Sequence, residues 1–242
     1  VRSVRDCVKL GGQDLKVKTA LLDTRLLAGD AALYDQVART LERDLLKRNA
    51  ARFFREKIAE SADRHRRYGD SVYLVEPQVK EGEGGLRDLH TAMWLAKVKF
   101  VVHDLSELVA KGVLTESEYE EVHAARDFLW RVRNALHFLS GQHQDQLTFE
   151  YQERIAADLG YRDAPTLRAV EQFMRAYYLQ ARAVNRFADN IISRCVERPA
   201  APVSGCRPSR FARTQPASND RLARRGLAWR LRILPSNNKT TP

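Results

Sequence analysis

Apolar residues spaced three and four apart recur through the second half of this chain, and that spacing limits what it can fold into. Val122, Ala125, Leu129, Val132, Leu136 and Leu139 fall on one face of a helix. Thr115 and Glu118 form a capping-box pattern at its start. Leu167, Val170, Phe173, Met174, Tyr177, Val184 and Ile191 repeat the pattern on a last long helix capped by Asp163 and reaching about Arg194. Shorter helices are expected over 88–101, over 105–111 with Gly112 as the stop, and over 150–159 ended by Gly160. Two more are expected between Asp30 and Tyr68, one along Leu33, Val37, Leu41 and Leu45, the other along Phe53, Phe54, Ile58 and Ala62. Trp94, Phe128, Trp130, Phe173 and Tyr177 sit at helical spacing and read as core.

The front of the chain reads differently. Residues 1–12 look like the end of a helix that runs out at Gly11-Gly12. In "VKTALLDTRLLAGD", period two places Thr19, Leu21, Asp23, Arg25 and Leu27 on one face, which predicts a strand, with a helix as the competing reading. Arg25 is the expected salt-bridge partner of Asp23. "SVYLVEP" reads as a short extended piece closed by Pro77. The fold class is therefore mainly α, a helical bundle after a remnant of β structure.

The 242 residues are 44% hydrophobic, enough for a sizeable core. The three cysteines are far apart and form no CxxC pair, so neither a zinc knuckle nor a disulfide framework is supported. A reducing cytoplasm is the simplest home. No apolar run approaches the roughly 18 residues of a membrane span, and no signal peptide is evident, so neither a membrane nor secretion is implied. The net charge of +10 is unevenly spread. From Glu197 onward ten basic residues face two acidic ones, which leaves a nearly neutral body and no footprint of specific nucleic-acid binding. That tail, 197–242, is rich in Arg, Pro, Ser and Ala and is expected to be disordered.

Most of the chemistry the sequence can suggest lies in "YLVEPQVKEGEGGLRDLHTAMWLAK". It is neither a Walker A loop nor a dinucleotide fingerprint. Gly84 and Gly85 are expected to supply positive φ and a tight turn ahead of a helix. Lys80 and Arg87, with the N-terminus of that helix, could receive an anion. Glu81, Glu83 and Asp88 oppose this unless they pair with the two cations or hold Mg²⁺. The residues alone favour a salt-bridged turn. His103-Asp104 is too short a signal for a metal phosphohydrolase. "RHRRYG", Arg64 to Gly69, reads as a solvated basic helix end.

"EPQVKEGEGGLRDLHTAMWLAK" closely resembles the hallmark of the bifunctional uridylyltransferase/uridylyl-removing enzymes that act on the PII nitrogen-regulatory protein. "LLDTRLLAGDAALYD", "FLWRVRNALHFLSGQHQDQLTFEYQERIAADLGY" and "AVEQFMRAYYLQARAV" resemble further family segments in the same order, over about residues 1–195. The resemblance implies a polymerase-β-like nucleotidyltransferase α/β domain, then this helical domain, then HD-type hydrolase and glutamine-sensing ACT domains. It implies transfer of UMP from UTP to a tyrosine of the PII protein, with Mg²⁺ clamping an in-line displacement.

On this reading, residues 1–30 close the nucleotidyltransferase domain, 31–196 form the helical domain, and 197–242 are a tail that is truncated or out of frame. The paired aspartates of the transferase site are expected before Val1, and the HD and ACT domains after residue 200. The family places Asp23 as a third metal carboxylate, and Lys80, Gly84, Gly85, Arg87 and Asp88 along the nucleotide cleft. UTP, the PII protein and the other domains of the parent are the implied partners. Two rivals stay open. One is a non-catalytic helical module that binds a PII-type protein or a neighbouring domain; the other is a related nucleotidyltransferase with different regulatory domains.

If the tail is dispensable, truncation after Val196 leaves the helical circular-dichroism signal and the melting midpoint almost unchanged. A large fall in midpoint would show that the tail packs on the body.

Overall fold

The computed structural model of the chain describes residues 2–196. The expected disorder of the tail lies outside the described residues. Nine α-helices follow one another among the described residues: α1 Val4–Gln13, α2 Leu15–Leu22, α3 Ala31–Thr40, α4 Ala50–Tyr68, α5 Leu86–Phe100, α6 Ser106–Ala110, α7 Glu116–Ser140, α8 Phe149–Asp158 and α9 Ala169–Val196. A π-helical stretch, Leu41–Lys47, joins α3 to α4.

The mainly α fold agrees with the apolar periodicity, and several of the expected caps are in place. Thr115 and Glu118 close a reciprocal capping box on α7. Asp30 accepts from the N–H groups of Ala32 and Leu33 to open α3. Asp163 accepts from Ala169 N at 2.8 Å at the head of α9. Gly112, Gly141 and Gly160 end α6, α7 and α8 at positive φ.

The strand expected in "VKTALLDTRLLAGD" is a helix over its first half. The Asp14 carboxylate accepts from Lys16 N and Val17 N and starts α2, which runs to Leu22. The physical reason is the backbone. A lone strand leaves its N–H and C=O groups unpaired, and among the described residues no strand is available to pair with it. A helix satisfies those groups within itself. Beyond α2 the chain turns outward, and Leu27 is 80% exposed. "SVYLVEP" is likewise no strand. It folds through turns and is tied to the segment after α7 by Leu147 N donating to Pro77 O at 2.9 Å and Phe149 N to the Glu76 carboxylate at 3.0 Å, with an isolated antiparallel bridge just beyond it, Gln78 to Gln146. The Leu33 end of the α3 stripe is exposed, and the stripe turns inward at Leu41.

The core lies between α5, α7, α8 and α9, with α4 closing one side. α9 is the central support, because α5, α7 and α8 all pack on it. Leu89, Leu95, Leu129, Val132, Leu136, Ile155, Phe173, Tyr177 and Val184 are almost fully buried there. Phe128 and Trp94 join them, while Trp130 is only partly covered. No helix among the described residues is long and apolar enough to cross a membrane.

Candidate functional site

The glycine-rich turn between α4 and α5 is a knot of internal hydrogen bonds. The Gln78 side-chain carbonyl accepts from Lys80 N and Glu81 N, and the Gln78 backbone carbonyl accepts from Gly82 N. Gly85 N donates to Gly82 O, Leu86 N to Val79 O and Arg87 N to Lys80 O, at 2.8–3.1 Å. Gly84 N donates to the Asp88 carboxylate at 2.8 Å. The amides that a phosphate cradle would offer are therefore already used.

The two expected positive-φ glycines behave differently. Gly84 has φ +72°. A Cβ there would lie 2.4 Å from the Ala181 carbonyl oxygen, so the turn sits directly on the α9 backbone. Gly85 has φ −82°, which any residue adopts. What demands glycine at 85 is crowding, since a Cβ would meet Val79 O, Gly82 O and Lys80 O at 2.8–2.9 Å.

Asp88 is 2% exposed and holds the knot together. Arg64 Nη2 donates to its carboxylate at 2.5 Å, and His65 Nε2 lies 2.9 and 3.0 Å from its two oxygens. Arg64 also donates to Glu81 O and to Ser61 Oγ. "RHRRYG" is thus only partly the solvated end that its charge suggests. Arg66 and Arg67 face solvent, while Arg64 turns inward. The reason lies along α4, where Phe53, Lys57, Ser61 and Arg64 share the inward face. Only Phe53 on that i, i+4, i+8, i+11 line is apolar, so no hydrophobic rhythm marks it in the sequence. Burial pushes the Asp88 carboxyl up, but His65 and Arg64 outweigh it and hold it below the usual aspartate range.

Lys80 and Arg87 stand on the outer side of the turn. Both pair with Glu81, at 3.3 and 3.2 Å, and both keep about a third of their side chains exposed. Burial raises the Glu81 carboxyl, and Arg87 and Lys80 bring it below its ordinary value. Arg87 also lies 5.9 Å from the Trp94 ring centroid, with Lys57 over the same ring at 4.6 Å. His90, between Trp94 and Trp130, is lowered by burial and by Arg87. The other expected anion, Glu83, accepts from Asn185 on α9 at 3.0 Å.

Asp23 caps the end of α2 rather than sitting on a strand, and Trp94 links it to the outer side of the glycine turn, its indole N–H donating to Asp23 and its ring lying 5.9 Å from Arg87. Its partners are Lys97 Nζ at 2.6 Å and Trp94 Nε1 at 2.8 Å; the Arg25 pair anticipated from the sequence is not the one that forms. The described residues do not by themselves fit a metal ion. Asp23 is bound to an ammonium, and no cluster of three or more His, Cys, Asp or Glu side chains suited to a metal occurs among them. His103 is exposed, and Asp104 caps the turn of α6 by accepting from Ser106 N and Glu107 N. The sequence reading missed Arg64 and His65 as partners of the motif, and Arg133, which pairs with Asp145 at 2.7 Å beside His137.

Two predictions follow from this geometry. Asp88→Asn strands Arg64 and His65 and is expected to cost about 3–5 kcal/mol in urea unfolding. The folded Asp88 pKa is depressed, so its stabilisation is fully present above the unfolded value near 3.8 and is lost as pH falls through the lower folded value. The wild-type chain should therefore lose stability more steeply than Asp88→Asn below about pH 3.8. Equal acid slopes would show that the fold does not hold the Asp88 pKa below its unfolded value. Gly84→Ala combines left-handed backbone with a clash on Ala181 and is expected to cost at least about 1–3 kcal/mol. A melting midpoint equal to wild type would show that the turn does not sit on α9.

The glycine turn and the helices around it lie within a segment, residues 52–192, that matches the family model described as GlnD PII-uridylyltransferase. Relatives named bifunctional uridylyltransferase/uridylyl-removing enzyme align along most of the chain. The protein of Bradyrhizobium sp. (strain BTAi1 / ATCC BAA-1182) is 42% identical over 83% of this chain. That of Nitrobacter hamburgensis is 43% identical over 86%, and that of Rhodopseudomonas palustris 40% over 90%. The chain spans only 22–24% of the length of these relatives. The Rhodopseudomonas alignment takes in more of the chain than the 196 of 242 residues before Glu197. Similarity therefore reaches into the tail, past the point near Arg194 where the family pattern was expected to stop. No solved structure matches the chain. On the family model and these relatives together, the chain belongs to the GlnD PII-uridylyltransferase family.

Proposed function

We propose that this chain is the helical portion of a bifunctional enzyme that transfers UMP from UTP to a tyrosine of a PII protein and removes it again. The observation that carries this reading is the 39–43% identity to the named enzymes over 83–90% of the chain. Residues 1–30 close the nucleotidyltransferase unit, and 31–196 form the helical domain. The Mg²⁺ of the transfer step is held by carboxylates elsewhere in the parent, since Asp23 is engaged by Lys97 and Trp94.

Within the hallmark motif the residues divide by burial. Gly84, Gly85 and Asp88 build the turn. Lys80 and Arg87 are its partly exposed cations, poised to meet the polyphosphate of UTP at the mouth of the cleft. A guanidinium can bind two phosphate oxygens at once and would exchange Glu81 for them. Transfer itself depends on positioning and charge stabilisation, which a chain without the metal carboxylates does not supply.

The test uses the parent context. A chimera carrying residues 52–192 of this chain in place of the matching segment of the Bradyrhizobium enzyme should uridylylate a PII protein. A folded chimera that binds UTP but never transfers would overturn the assignment. In that chimera Arg87→Ala should lower kcat/KM for UTP by roughly 10–100-fold, about 1.4–2.8 kcal/mol, with the melting midpoint little changed. Early melting with normal UTP affinity would reduce Arg87 to a structural partner of Glu81. The isolated 242-residue chain, given labelled UTP, Mg²⁺ and a PII protein, should show no transfer above background.

A further inference from the structure

We propose that a second copy of this chain docks antiparallel along the outer face of α9, around a two-fold axis between Ala176 and Tyr177. That face borders an open groove of about 450 Å³, lined by Tyr73, Met174, Tyr178 and Leu179 with Glu171, Arg175 and Arg182 on α9. Leu179, 55% exposed, is the apolar side chain that α9 itself leaves open there, and Tyr73, 60% exposed on the segment before α5, borders the same groove. Tyr178 is set firmly in it, with its hydroxyl donating to Leu74 O at 3.0 Å and its ring 5.7 Å from that of Tyr73.

The choice of occupant comes from the order of residues along that face. Positions 171, 174, 175, 178, 179 and 182 recur at three- and four-residue intervals and face one side of a helix. Around a two-fold axis between 176 and 177, each position comes level with the one whose number adds to 353. Glu171 then lies level with Arg182 of the second copy, and Arg175 with Tyr178 of the second copy. Met174, 8% exposed, belongs to the core and takes no part in the contact. Each pairing occurs twice, as an isologous contact requires. The result is two opposite-charge pairs and two cation–aromatic contacts, with Leu179 of each copy flanking the axis and no like charges level with one another. Arg175 and Arg182 make no salt bridge among the described residues, and while one Glu171 oxygen accepts from Arg168 N at 2.8 Å, the other lies 4.0 Å from the Arg168 guanidinium and can take a new partner.

Eleven residues of helix rise only about 16 Å. Even with Tyr73, the face is smaller than the roughly 800 Å² per partner of a standard interface, so a weak dimer is expected. Sedimentation equilibrium of the 242-residue chain from roughly 5 to 500 µM, the range for a weak interface, should show the mass rising from 27.7 kDa towards twice that value. Leu179→Asp and Arg182→Glu should each weaken association at least about tenfold, with unchanged circular dichroism because both side chains are exposed. Combining Glu171→Arg with Arg182→Glu exchanges the charges and should restore most of the affinity. Glu171 also accepts from Arg168 N at the start of α9, so the melting midpoint is read for each variant. A chain that stays monomeric across the whole range, or dimerises equally well as Leu179→Asp, would overturn the proposal. So would a folded charge-exchange variant no tighter than Arg182→Glu alone.

Discussion

The buried carboxylate of Asp88 holds together the parts of this molecule that define it. It lies in the first turn of α5 and is shared by Arg64 and His65 from the last turns of α4 and by the backbone of Gly84. The end of α4 and the turn that opens α5 are thereby tied at one point, and Gly84 in turn touches the α9 backbone. A buried ion pair is costly to form, and it persists here because its hydrogen bonds are nearly all satisfied. Its value is positional. It fixes where α5 begins, and therefore where Arg87 and Trp94 point.

The hallmark motif is consequently two things at once. Its inner residues, Gly84, Gly85 and Asp88, are spent on packing and leave few amides to offer a ligand. Its outer cations, Lys80 and Arg87, share the Glu81 carboxylate and stay about a third exposed, Arg87 beside Trp94. This division explains why the residues alone favoured a salt-bridged turn while the family resemblance favoured a cleft. The salt-bridged turn is seen in the ion pairs with Glu81, and the cleft-lining role of Lys80 and Arg87 is part of the proposed function.

The front of the chain shows what context does to a sequence. "VKTALLDTRLLAGD" carries both a two-residue and a four-residue apolar rhythm. Among the residues described here it has no strand to pair with, and the helix, which satisfies its own backbone, prevails over its first half. Asp23 then finds Lys97 and Trp94 on α5 rather than its sequence neighbour Arg25.

By itself the sequence determined the helices, because their apolar spacing, capping boxes and glycine stops are local properties set by 3.6-residue geometry. The long helices α7 and α9, the stops at Gly112 and Gly160 and the special character of the glycine turn were all legible. Family membership was legible too, in several long motifs kept in order. Which side of α4 faces inward was decided by tertiary structure, since Arg64 reads as one cation among four until a buried carboxylate 24 residues away claims it. The same holds for Gly85, where the demand for glycine comes from three converging carbonyls rather than from φ. Charge partners and close backbone approaches depend on residues far apart along the chain, and no local pattern encodes them.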